Sequence, residues 1–146
     1  MNSNRLRIVM FTNLFPPVLS GSSTHVRSLS AELVRQGHEV TVITAHADRS
    51  VPPYEVIDGV EVHRLPAFIL PRLGISLNFP WLSYTFTPSN VRQIEAIVRR
   101  AKPDVLHLHN HMFDMAFAAV RMRRQFKTPL LLTLHTMIQH SNPIYN

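Results

Sequence analysis

The sequence predicts an α/β fold, a doubly wound parallel sheet with helices on both faces, and three observations carry that expectation. Short apolar runs of strand length alternate with longer stretches of helical periodicity. Most of the short runs are nearly continuous rather than alternating, as expected of parallel strands buried on both faces. Glycine or proline stands just past the first two helical stretches, where a helix is required to stop.

The elements follow in order. RIVMFTN (Arg7 to Asn13) is the first strand. A loop holding Gly21 among the hydroxyl residues Ser20, Ser22, Ser23 and Thr24 comes next, and Ser22 or Ser23 is expected to cap a helix. Val26, Leu29 and Leu33 recur along that helix, and Gly37 occupies its left-handed end. EVTVIT (Glu39 to Thr44) and GVEVHRL (Gly59 to Leu65) read as two further strands separated by a Pro-Pro loop. After an irregular stretch, Val91, Ile94, Ile97, Val98 and Ala101 mark a helix face that Pro103 ends. DVLHLH is a strand, MFDMAFAAVRMRRQF a helix and PLLLTLH a last strand.

At 146 residues and 45% hydrophobic composition the chain suffices for one globular domain. It has no cysteine, so neither a disulfide framework nor a thiolate zinc site is available, in keeping with a reducing, cytoplasmic setting. No uninterrupted apolar stretch approaches the ~20 residues of a membrane-spanning helix. The basic start followed by IVMFTNLFPPVLSG is not read as an export signal, because Asn13, Pro16 and Pro17 interrupt it. A formal charge of +6 favours an anionic partner: nucleic acid, a phospholipid surface or a phosphorylated small molecule. Nucleic acid is not expected, since no element interleaves basic residues with aromatics and no helix-turn-helix is visible.

Ligands of such sheets sit beyond the carboxyl ends of the strands. Three segments fall there: the Gly21 loop, His109-Asn110-His111, and the stretch from His135. A glycine lets backbone approach a ligand closely or take a positive φ, and the helix that follows presents free N–H groups to an anion. Ser20, Gly21 and Ser22 are therefore expected to cradle a diphosphate. Neither the dinucleotide fingerprint nor the P-loop pattern is present.

GSSTHVRSLSAELVRQGHEVTVIT, KPDVLHLHNH and TPLLLTLHT together resemble the N-terminal domain of the GT-B glycosyltransferases of family 4, retaining enzymes that use nucleotide-sugars. The resemblance runs from Arg7 to about His140 and is weakest over residues 66–89. It departs at Ser20, where many members carry a second glycine. It implies that residues 1–146 form one Rossmann-like half of the enzyme, incomplete, without the C-terminal domain that holds most of the nucleotide-sugar. The isolated chain is then expected to be inactive. It also implies that Gly21 approaches the donor diphosphate, that His135 is catalytic and holds the transferred sugar, and that His25, His109, Asn110 and His111 face the interdomain cleft or acceptor. Sugar or lipid is the implied acceptor, and no cofactor is implied. Location would be cytoplasmic, or peripheral at the inner face of an anionic membrane.

Other readings stand beside these. His107 and His109 share a strand face, as two metal ligands would, but no third ligand follows at a characteristic spacing, and such transferases generally need no metal. No metal site is expected, and His107 is read as an interior residue. Asp104 is read as sitting at the start of a strand and Asp114 as a charge at a helix N-terminus. Residues 66–86 carry a single charge, Arg72, and prolines at 66, 71 and 80, so they form no long helix and must be covered by core, partner domain or lipid. The rival to an enzyme is a non-enzymatic Rossmann-like interaction or ligand-binding module using the same rim.

Overall fold

A computed structural model describes residues 5–70, 82–110 and 114–135. The described elements are β1 (Arg7–Phe11), α1 (Gly21–Arg35), β2 (Glu39–Ala45), β3 (Tyr54–Ile57), β4 (Val60–Leu65), β5 (Phe68–Leu70), β6 (Leu82–Tyr84), α2 (Pro88–Ala101), β7 (Val105–His109), α3 (Met115–Phe126) and β8 (Leu130–Thr133). Six strands form one sheet in the order β3-β4-β2-β1-β7-β8, and β5 pairs with β6 apart from it.

Five of the six strands run parallel, as expected, but β3 pairs antiparallel with β4 at the edge, so the sheet is mixed. The sequence reading treated β3 as loop. Asp58 and Gly59, at φ of 52° and 80°, form the two-residue turn that folds β3 back onto β4. β5 and β6 are likewise strands inside the stretch expected to be irregular. Its central residues, 71–81, lie outside the described ones.

Alternation along β1 divides the core. Ile8 and Met10 pack with Val26, Val42 and Val62 under α1, whereas Val9 and Phe11 pack with Ile94, Val98, Met115 and Met122 under α2 and α3. Helices therefore cover both faces. Because β1 has β2 on one side and β7 on the other, successive crossovers leave it in opposite directions, and the carboxyl ends of β1 and β7 mark the switch point at which such sheets bind ligands.

The start of α1 differs from the expectation. Ser20, rather than Ser22 or Ser23, is the cap: its backbone is extended, its Oγ accepts the Ser23 N–H at 3.0 Å, and its own N–H donates to Ser23 Oγ at 2.8 Å. At the other end, Gly37 is left-handed at φ 94°, with its N–H on the Val34 carbonyl and that of His38 on the Leu33 carbonyl. Lys102, also left-handed, closes α2 before Pro103.

Two aspartates brace the site. Asp104, at the start of β7, accepts from the Arg7 N–H and guanidinium at 2.8 to 3.1 Å, pinning β1 to β7. Arg7 holds that carboxyl down to about 2. Asp114 stands at the N-cap of α3 but makes no side-chain cap there. It is buried, and its carboxylate accepts from the Thr85 N–H, from Thr85 Oγ1 at 2.8 Å, from the Phe86 N–H at 2.7 Å and from Asn13 Nδ2 at 3.1 Å. Reading Asp114 as a helix-end charge alone understated it: the carboxylate joins the end of β1 to the segment after β6.

Candidate active site at the carboxyl rim of the sheet

β7 and β8 lie side by side in register, His107 opposite Leu131 and His109 opposite Thr133, so β7 ends next to the residues that follow β8. Asn110, left-handed at φ 67°, donates its N–H to the Thr133 carbonyl at 3.0 Å, and its Oδ1 accepts the N–H of His135 at 3.1 Å. Asparagine tolerates that backbone better than most residues. The two-way clasp fixes where the His135 ring can reach.

It reaches His109. Nδ1 of His109 and Nε2 of His135 lie 3.0 Å apart, and the rings stack at 5.3 Å between centroids. His25, on the second turn of α1, meets His135 edge-on at 4.9 Å and lies 6.1 Å from His109. The His107 ring lies against that of His109, tilted, at 4.0 Å between centroids, and its Nε2 bonds Thr133 Oγ1 at 2.8 Å. Its partnered, buried state agrees with the reading of His107 as an interior residue.

Burial disfavours the charged form of three of these rings, those of His107, His109 and His135. His109 is fully buried, and burial first, then repulsion from His107, His135 and His25, lowers it to about 3. Burial and the neighbouring rings lower His107 and His135 too. Rings in this state exchange neutral N–H donors and lone pairs.

The Gly21 loop borders the same rim, because α1 carries both Gly21 at its first turn and His25 at its second. Gly21 is exposed, has no positive φ, and a Cβ placed on it meets nothing within 4 Å among the described residues. Of the two uses a glycine can serve there, unusual backbone is excluded and close approach by a ligand remains. The hydroxyls are less free than expected: Ser20 and Ser23 are engaged in the cap, and Ser22 Oγ lies 3.1 Å from Ser20 Oγ.

The structure thus brings His25, His109 and His135 into contact, places Asn110 as a brace, and sets Ser20, Gly21 and Ser22 on the helix that carries His25. His111 lies outside the described residues. Sequence reasoning missed Asp114 as an organiser of the site, and also Asn13, just past the carboxyl end of β1, whose buried Oδ1 has no partner among the described residues. The position of Asn13 directly after an apolar strand was its signal.

Comparison with known proteins gives the same frame. The chain is 30% identical over 135 residues to the alpha-monoglucosyldiacylglycerol synthase of Acholeplasma laidlawii, covering 92% of this chain and 31% of that protein. It is 29% identical over 133 residues to the GDP-mannose-dependent alpha-mannosyltransferase of Mycolicibacterium smegmatis, covering 90% of this chain and 32% of that one. It thus spans about a third of the length of these relatives. Among solved structures, sucrose-phosphate synthase of Thermosynechococcus elongatus superposes with a TM-score of 0.68 at 21% identity, over 90% of this chain and 33% of that one, a likeness of fold. With residues 20–144 matching the glycosyl transferase 4-like domain, a span that runs from the cap of α1 past His135, the chain belongs to that family.

Proposed function

We propose that this chain is the N-terminal, acceptor-side half of a retaining glycosyltransferase that moves a sugar from a nucleotide-sugar to a sugar or lipid acceptor. The observation that carries the reading is the junction of the Gly21 helix start with the His25–His109–His135 cluster on one rim. A helix N-terminus with an unobstructed glycine suits a diphosphate, and a neutral imidazole suits a sugar hydroxyl, to which it donates or from which it accepts. The relatives' names supply the chemistry of both sides, GDP-mannose for one and a diacylglycerol glycolipid for another.

In this reading Gly21 approaches the donor diphosphate, His135 holds the transferred sugar, and His25, His109 and Asn110 line the acceptor side. A C-terminal domain supplies the base and ribose contacts and the positive groups that stabilise the leaving diphosphate. The working location is cytoplasmic, at the surface of an anionic membrane when the acceptor is a lipid. Among the described residues no helix is long and apolar enough to cross a membrane. In the full-length parent, His135→Ala is expected to lower turnover by about two orders of magnitude with the fold intact. Wild-type turnover in that variant, measured with a radiolabelled donor, would withdraw His135 from the chemistry.

A further inference from the structure

Spacing along the sequence offered His107 and His109 on one strand face and no third ligand, but folding brings His25 of α1 and His135, just past β8, to His109. We propose that His25, His109 and His135 form a binding site for one divalent transition-metal ion of the zinc, nickel or copper class. Among the described residues these three offer one ligand atom each, all within 4.8 Å of one another.

Distances favour an ion. Zinc holds imidazole nitrogens at about 2.0–2.1 Å in a tetrahedral arrangement, which places any two of them roughly 3.3 Å apart. His109 Nδ1 and His135 Nε2 already face each other at 3.0 Å, close to one edge of that tetrahedron. The third ring, His25, is exposed on the surface of α1 and already meets His135 edge-on at 4.9 Å. The first two are not free to wander, because the β7–β8 register and the bond from the His135 N–H to Asn110 Oδ1 fix them.

The donor set selects the ion. Three imidazoles without a carboxylate suit zinc, nickel or copper and offer nothing to magnesium or calcium, which require oxygen. His107 stays outside the set, its Nε2 engaged by Thr133 Oγ1. Three protein ligands, one of them at the surface, leave a fourth position open to solvent, the pattern of an accessible rather than a closed structural zinc site. The geometry stands independently of sugar transfer, and so does its test.

The untagged 146-residue chain, stripped with chelator and dialysed, would be titrated with zinc and separately with magnesium by calorimetry at neutral pH. One zinc ion per chain is expected to bind at micromolar affinity or tighter, with no heat from magnesium. His25→Ala, at an exposed position, is expected to keep the circular dichroism of the parent and weaken zinc binding by about tenfold or more, whereas His38→Ala leaves it unchanged. Cobalt in place of zinc is expected to give an intense visible band that His25→Ala abolishes. Absence of saturable zinc binding below millimolar, or affinity in His25→Ala within tenfold of the parent, would overturn the site.

Discussion

Four imidazoles, those of His25, His107, His109 and His135, meet at the carboxyl end of the sheet, and only His25 among them is exposed. The burial of His107, His109 and His135 gives stability a pH dependence whose sign follows from His109. Its folded value is about 3 against an ordinary 6.5, so below pH 6.5 the unfolded chain binds protons that the folded chain refuses. Stability is complete above that value and is lost as pH falls from 6.5 toward 3. Glu32 and Asp104, lowered to about 2 by Arg35 and Arg7, give up their contribution only as pH falls below their ordinary 4.5 and 3.8. Loss between about pH 6.5 and 5 therefore reports the histidines. Urea unfolding is expected to show a shallower dependence in that window for His109→Gln than for the parent, and an identical slope would remove His109 from the account. Gly21→Val tests the other side of the rim. An added Cβ meets nothing within 4 Å among the described residues, so the fold should persist while, on the proposed reading, nucleotide-sugar affinity drops; normal donor kinetics would leave the loop without a ligand.

Elements are held by a few well-placed groups. Asp114 takes donors from Thr85, Phe86 and Asn13, and Asp114→Asn substitutes an amide whose one carbonyl oxygen cannot serve them all. Each buried donor left unpaired costs about 1–3 kcal/mol, a loss that chemical denaturation resolves easily. At the β3–β4 turn, Gly59 has φ 80°, and an added Cβ would lie 2.7 Å from Val34 Cγ1, so Gly59→Ala is expected to destabilise by about 1–3 kcal/mol. An unchanged urea midpoint would contradict that. Both features mark where the sequence was hard to read. The five parallel strands and three helices were legible because periodicity within each segment is enough to announce them. β3 went unread because Pro52-Pro53 dominated its segment, although Asp58-Gly59 is a hairpin signal two residues long. The partners of Asp114 lie 28, 29 and 101 residues away, and no local pattern encodes pairing at that range. The same holds for His25, which joins His109 and His135 only because α1 crosses the face of the sheet that β7 turns toward it. Helix capping erred by two or three residues, since a run of serines offers several equivalent caps and the reciprocal Ser20–Ser23 bond decides among them.

At the scale of the molecule, the two edges of the sheet, among the described residues, differ in character. β3 turns back antiparallel on one side, whereas on the other Leu131, Leu132 and Leu134 are 53%, 45% and 57% exposed. An edge of that character invites pairing between chains. The isolated chain is expected to associate as concentration rises, and Leu132→Lys to keep it monomeric in sedimentation; a monomeric parent at high concentration would show that this edge is protected.

The central position of β1 also sets an order of events during synthesis. β1 pairs with β2 and β4 follows within some sixty residues of the start, but its second neighbour, β7, pairs Val105 with Ile8. While the ribosome is still making the stretch between, Ile8 and Met10 already have α1 to cover them, and Val9 and Phe11 have nothing, because α2 and α3 do not yet exist. One face of the nascent sheet is finished and the other is bare. The interval in which the growing chain most needs a chaperone is thus written into the strand order, and it ends when α2, β7 and α3 have left the exit tunnel.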